Sequence, residues 1–153
     1  MDLSGEYQLN APKEKVWAAL NDPAVLARCI PGCKELLQTS DNAFAAKVAL
    51  KVGPVSATFS GNVTLEDIDA PNGYRIAGQG SGGIAGFAKG GAIVRLEERE
   101  GVTVLTYEAK ADIGGKLASL GSRLITATSK KLADQFFSSF AREFHDEPAA
   151  TSQ

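Results

Sequence analysis

Over the chain from Ala43 onward the spacing of apolar residues changes once, at Gly114-Gly115, and that change constrains the fold more than any other feature. Upstream, from Ala43, the pattern alternates with a period of two, as half-buried strands require. In AFAAKVALKV, Phe44, Ala46, Val48, Leu50 and Val52 share one phase, while Lys47 and Lys51 share the other. After a Gly53-Pro54 turn, Val55, Ala57, Phe59, Gly61, Val63 and Leu65 again face one way. Pro71-Asn72-Gly73 is a turn signal, and Tyr74, Ile76, Gly78 and Gly80 follow in phase. AIVRLEE and VTVLTYEAKADI are further strands, joined at Arg99-Glu100-Gly101. Downstream, Leu117, Leu120, Leu124, Ile125, Thr128, Leu132, Phe136, Phe140 and Phe144 form a stripe at helical spacing. This predicts one amphipathic helix running through Gly121.

The N-terminal segment has its own order. Leu3, Gly5, Tyr7 and Leu9 alternate as a strand, and Asn10-Ala11-Pro12 ends it. Pro12 stands near the start of a short helix that turns Val16, Trp17 and Leu20 inward, and PAVLARCI is a second short helix closed by Pro31-Gly32. Strands joined by short turns form an antiparallel meander with one apolar face, and the last helix is the only element large enough to cover it. The expected fold is therefore α+β. A curved antiparallel sheet of about seven strands wraps round a long C-terminal helix, with two short helices after the first strand. Residues 1–145 are expected as a single domain, and 146–153 as a disordered polar tail.

The composition excludes several functions. The 153 residues suit one domain, and 16 Lys+Arg against 18 Asp+Glu give a net charge of -2, with no nucleic-acid footprint. No secretory leader or membrane-spanning run is present, so a cytoplasmic location is expected. Cys29 and Cys33 in CIPGC lack the redox Cys-x-x-Cys spacing, and the single histidine, His145, leaves any zinc site short of ligands. They read as buried, reduced, structural thiols. Glu66, Asp67, Asp69, Glu97, Glu98 and Glu100 sit at strand ends and turns, as solvated charges do. No nucleophile-elbow or zinc-protease motif is present, so neither a catalytic residue nor a metal is assigned.

GQGSGGIAGFAKGGA, residues 78 to 92, is dense in glycine but opens no helix, so it is no phosphate cradle. Gly61, Gly78, Gly80, Ala46, Ala57, Ala109 and Ala111 lie on the inward phase, where a core would want bulk. Two readings stay open: the helix approaches the sheet closely there, or a cavity remains. A cavity would be apolar, with Tyr7, Tyr74 and Tyr107 as its polar groups unless their hydroxyls lie at the sheet rim. Its candidate walls are Tyr7, Phe44, Val48, Phe59, Tyr74, Tyr107, Leu120, Leu124, Thr128 and Leu132. Ile84, Phe87 and Lys89 are candidates for docking on a partner or a bilayer, with Phe87 alternatively folded over the cavity mouth.

VWAALNDPAVLARCIPGC, KVGPVSATFSGNVTL, GFAKGGA, GGKLASLGSRLI and KKLADQFFSSF together resemble the CoxG family of carbon monoxide dehydrogenase subunits over about residues 1 to 144. The resemblance implies the helix-grip fold of the START-like, polyketide-cyclase-like (SRPBCC) superfamily, which encloses an apolar cavity. It also implies a non-catalytic accessory factor for a molybdenum hydroxylase of the carbon monoxide dehydrogenase type, linking it to the membrane or its quinone pool. On that reading the cavity takes a respiratory quinone or lipid, no cofactor is covalently bound, and membrane contact is transient, at the inner face of the cell membrane. The alternatives are a ligand-free recruitment factor and a cyclase- or hydrolase-like enzyme. Many members continue past a Pro/Ala-rich linker into a membrane-binding end, whereas this sequence stops soon after Glu147-Pro148-Ala149-Ala150.

Overall fold

The computed structural model describes the backbone of residues 1–151 and the side chains of residues 1–144. Its order is β1 (Asp2–Leu9), α1 (Lys13–Leu20), α2 (Pro23–Cys29), β2 (Cys33–Ser40), β3 (Ala43–Val52), β4 (Val55–Asp69), β5 (Gly73–Ser81), β6 (Phe87–Arg99), β7 (Val102–Gly114) and α3 (Ser122–Thr151). A 3-10 turn over Gly83–Ala85 joins β5 to β6, and another over Gly115–Leu120 joins β7 to α3. The seven strands form one sheet in the order β1-β7-β6-β5-β4-β3-β2, with every neighbouring pair antiparallel. This is the expected curved meander gripping a C-terminal helix. The expectation for 146–153 falls on residues whose side chains, and at 152 and 153 whose backbone, lie outside the described residues. His145 falls there too.

Local chemistry sets the boundaries. Pro12 is the N-cap of α1, and the Asp22 carboxylate accepts from the Ala24 N–H at 2.9 Å, capping α2. The six-strand run after α2 includes β2, a strand that alternation does not reveal. Leu36 and Leu37 are adjacent, Leu37 is largely exposed, and the pairing with β3 shifts register twice. Such irregularity suits an edge strand that must not pair further.

The predicted helix through Gly121 is corrected: the stripe spans two elements. Gly121 takes φ +93, which ends the 3-10 turn and lets α3 begin at Ser122. The stripe survives the break because Leu117 and Ile125 are both buried against Val52 and Val55.

The main core lies where α1, α2 and the middle of α3 meet β1 and β7. Phe140, Leu9, Leu105 and Val16 are its most enclosed apolar side chains. Phe136 stacks on Phe140 at 5.7 Å, and Phe140 meets Phe144 edge-on at 5.2 Å. Thr103, fully buried, donates its hydroxyl to the Ala11 carbonyl at 2.7 Å, tying β7 to the entry of α1. Arg28 on α2 grips Glu143 on α3 through two hydrogen bonds, the shorter at 2.7 Å. Both cysteines are free thiols; Cys29 is buried as expected, whereas Cys33 is only half-buried because it opens the edge strand.

Candidate functional site: an apolar cavity under the last helix

α3 does not lie evenly over the sheet. On the β1–β7 side it seats directly: the Tyr7 ring stacks on Phe137 at 4.2 Å, and Tyr107 lies 5.6 Å from the same ring. The Tyr7 hydroxyl donates to the Asp134 carboxylate at 2.5 Å, and Lys130 donates to the same oxygen at 3.0 Å. Burial, then the bond to Asp134, raises the Tyr7 pKa far above the usual phenol range. The bonds from Tyr7 and Lys130 hold the Asp134 carboxyl below its usual range.

On the other side, over β3, β4 and β5, the helix stands off and leaves a cavity of 490 Å³. That lies within the range of small-molecule sites. Phe44, Val48, Phe59, Tyr74 and Leu132, all candidates from strand phase and helix stripe, line it. So do Gly61 and Gly80, which are paired across β4 and β5 and leave the wall there one backbone thick. A second chamber of 220 Å³ shares Leu50, Phe59, Gly80 and Leu132 with the first and extends toward Leu117, Ile125 and Thr128.

The remaining wall candidates stand elsewhere. Tyr7 and Tyr107 occupy the inward phase but are used up in the aromatic stack under α3. Thr128 lines only the smaller chamber. Leu124 covers the β3–β4 turn, where a Cβ on Gly53 would come within 2.8 Å of its Cδ2. Leu120 packs on the cluster of Val52, Val55, Leu117 and Ile125. Strand phase reports which face a residue is on, not how far away the helix is, and here the distance decides.

Other lining residues escaped the sequence reading. Leu26 and Ile30, four apart on α2 and its cap, close one side with Pro31 and Leu36. Their helical spacing carries the signal, but nothing in it says that α2 faces the same space as β4. Asn62 and Gln79, opposite each other in register, also reach the cavity at the Gly61/Gly80 window despite their outward phase.

Among the described residues, Tyr74 is the only titratable side chain lining the larger cavity. Its ring packs on Trp17 at 5.1 Å, and it is 5% exposed. Burial alone pushes its phenol up to about 12, so it stays protonated at neutral pH, able to donate a hydrogen bond but not to serve as a base. No carboxylate, amine, guanidinium or imidazole of the described residues lines the cavity. Among the described residues no three His, Cys, Asp or Glu side chains converge as a metal site would need. None of their helices is long and apolar enough to cross a membrane.

At one end of the molecule, Ile84 on the Gly83–Ala85 turn is 92% exposed and Phe87 is 51% exposed, with Lys89 exposed beside them. Phe87 borders a groove of 380 Å³ that shares Asn62, Gln79 and Gly80 with the larger cavity. Its ring lies across Gly114 on β7, where only a residue without a side chain leaves room.

A curved antiparallel sheet, one gripping helix and an apolar chamber between them define the helix-grip fold. A conserved protein from Geobacillus kaustophilus superposes with a TM-score of 0.90 at 29% identity, covering 95% of this chain and 96% of that one. A START superfamily protein from Mycobacterium smegmatis gives 0.70 at 10% identity, with 95% and 97% covered. An aromatase/cyclase, Zhui from Streptomyces sp. R1128, gives 0.65 at 16%, with 95% and 93% covered. The last two show the fold alone. No curated protein matches the chain. The profile of the CoxG family, described as a carbon monoxide dehydrogenase subunit, matches residues 5–145, and the chain belongs to that family.

Proposed function

We propose that this protein is a non-catalytic accessory factor of a molybdenum hydroxylase of the carbon monoxide dehydrogenase type, and that it carries an apolar ligand in its cavity. The observation that supports this reading is the 490 Å³ chamber, walled by aliphatic and aromatic side chains, with one phenol as its titratable group. Such a chamber favours a molecule with a large apolar body and a single hydrogen-bond acceptor that Tyr74 can meet. A respiratory quinone has that chemistry, and the family's name supplies the enzyme it would serve. A lipid acyl chain is the other ligand of this kind. Acid–base catalysis in the chamber lacks a group that changes protonation near neutral pH, which favours carriage over turnover. Carriage would link the enzyme to the membrane quinone pool without a spanning segment.

The test is native mass spectrometry with organic extraction on protein purified from a quinone-containing host, followed by titration of delipidated protein with decylubiquinone. A co-purifying quinone or lipid and saturable uptake of one molecule per chain are expected. Protein that is empty and also takes up neither decylubiquinone nor a fatty acid overturns the carrier reading. The exposed Ile84 end would then support ligand-free recruitment instead.

A further inference from the structure

The dense glycines between β5 and β6 build something more specific than a flexible hairpin. The Gly83–Ala85 turn is closed by backbone hydrogen bonds: Gly82 N–H donates to the Gly86 carbonyl at 2.9 Å, and Gly86 N–H to that of Gly83 at 3.1 Å. The turn rests on the second 3-10 turn, Gly115–Leu120, through glycines. A Cβ on Gly86 would stand 2.5 Å from the Gly114 carbonyl oxygen, and one on Gly115 would stand 2.7 Å from the Gly86 Cα. Gly86 also holds φ +125. The two turns are thus pressed backbone to backbone. Ala85 and Leu117, one from each, are buried under them, and Leu117 lines the smaller chamber. That chamber is continuous in its walls with the larger one, so the Gly115–Leu120 turn closes the cavity at this end through Leu117, with the Gly83–Ala85 turn pressed against it.

The outer surface of the paired turns is unlike a solvated loop. Ile84 projects from it almost wholly exposed, although the turn beneath it is hydrogen-bonded on both sides. A lone exposed aliphatic residue is ordinary. Here the half-exposed Phe87 lies beside it, and the charges on the turns themselves carry one sign. Over 53–54, 82–86 and 115–123, the charged residues are Lys116 and Arg123. Both are exposed, and neither has an ion-pair partner among the described residues. Lys51 also flanks the turns, while Lys89 stands opposite Asp112 in register and Lys110 opposite Asp2, each lysine offset by an acid. The whole chain is net -2, so this end is a cationic rim around an apolar tip on an otherwise acidic protein. An apolar tip in a cationic rim complements an anionic bilayer: the tip enters the acyl boundary while the rim meets phosphates.

We propose that the end of the molecule formed by the Gly83–Ala85 and Gly115–Leu120 turns docks on an anionic lipid surface, with Ile84 inserting, and that the cavity exchanges its ligand with the bilayer there. The exchange step rests on the carrier reading above; the docking does not. Lys116 and Arg123 attract the surface, and Ile84 and Phe87 anchor it. Because the two turns meet at glycine backbones, with only Ala85 and Leu117 packed between them, their separation would open the smaller chamber toward the lipid.

The experiment is vesicle flotation of wild-type protein and Ile84→Asp, using vesicles of phosphatidylcholine with 30% phosphatidylglycerol and vesicles of phosphatidylcholine alone. In parallel, uptake of decylubiquinone is followed both from those vesicles and from detergent micelles. Since Ile84 is 92% exposed, Ile84→Asp is expected to keep the wild-type melting temperature. Wild type is expected to float with the anionic vesicles only. Ile84→Asp is expected to bind them about tenfold more weakly, as loss of one inserted aliphatic side chain implies. The double variant Lys116→Glu/Arg123→Glu is expected to lose about twentyfold or more, at roughly a factor of five per cation. Transfer from vesicles should slow in both variants, while equilibrium uptake from micelles stays at the wild-type level. Absent flotation of wild type, or equal flotation of wild type and Ile84→Asp, overturns the docking proposal. So does binding of the purified dehydrogenase that Ile84→Asp abolishes while no vesicle binding is found, which would make the end a protein-docking face. Failed uptake from micelles with intact flotation overturns the carrier reading and the exchange step, and leaves the docking supported.

Discussion

Tyr107 shows how much one residue's role depends on what lies above it. Its phase on β7 is inward, its ring is stacked under Phe137, and it is 7% exposed. Its hydroxyl is buried and makes no well-formed hydrogen bond among the described residues, although it lies near enough to the Tyr7 hydroxyl to help raise that phenol's pKa. A phenol oxygen in that position costs its desolvation without return, of order 1–3 kcal/mol. Tyr107→Phe is therefore expected to hold or raise stability, by up to about 1 kcal/mol, measured by urea unfolding. A loss of more than that would show that a partner such as an enclosed water satisfies the oxygen. Gly5 belongs to the same local design, since a Cβ there would come within 2.7 Å of the Tyr107 ring. That glycine serves packing, whereas Gly80 opposite Gly61 serves the cavity. Two inward glycines thus serve different ends, one making room for a cross-strand ring and the other for the cavity. Alternation alone does not distinguish them, because it carries the face of the sheet and not the height of the helix above it.

Among the elements, those with a clean period were legible and the rest were hidden. β3, β4 and β5 follow from alternation, and the turns between them from Gly53-Pro54 and Pro71-Asn72-Gly73. β2 was hidden because an edge strand with irregular register has no regular inward face to display. The break at Gly121 was hidden because a 3-10 turn and an α-helix present apolar residues at similar three- and four-residue spacings. How α2 meets α3 is also a long-range fact, set by Arg28 and Glu143. The hydrogen bond from Arg28 is the chief reason the Glu143 carboxyl is held below its usual range. A carboxylate whose pKa is depressed in the folded state stabilises that state above its unfolded value, about 4.3 for Glu, and the contribution is lost as pH falls through the folded value. Wild type is therefore expected to lose more stability than Glu143→Gln between pH 7 and pH 3, a difference read from urea midpoints at the two values. The other carboxylates titrate in both proteins and cancel. Equal losses would mean that solvent screens the Arg28–Glu143 pair completely, since the Arg28 side chain is 57% exposed.

At the scale of the whole molecule, the fold and the cavity come from one asymmetry: α3 is pinned at the β1–β7 side and held away from β3–β5. The sequence shows the ingredients of that asymmetry, aromatic residues on α3 facing Tyr7 and Tyr107, and small residues at Gly61 and Gly80. It does not show that these two sets lie on opposite halves of one sheet. Gly80 lines both chambers, and a Cβ there would find its nearest neighbours at 3.5 Å, an ordinary contact. A side chain at that position can therefore grow into the cavity without displacing backbone. Gly80→Leu should fill the junction between the chambers, where the ligand of the carrier reading would have to pass. Replacing glycine in a strand removes a conformational cost of about 0.5–1 kcal/mol, and the added side chain gains burial against Phe59 and Leu132. The expected outcome is a protein at least as stable as wild type by thermal unfolding, yet with decylubiquinone uptake weakened about tenfold or more. Stability and uptake falling together would mean that the space at Gly80 is needed for packing. Undiminished uptake would place the ligand outside this chamber.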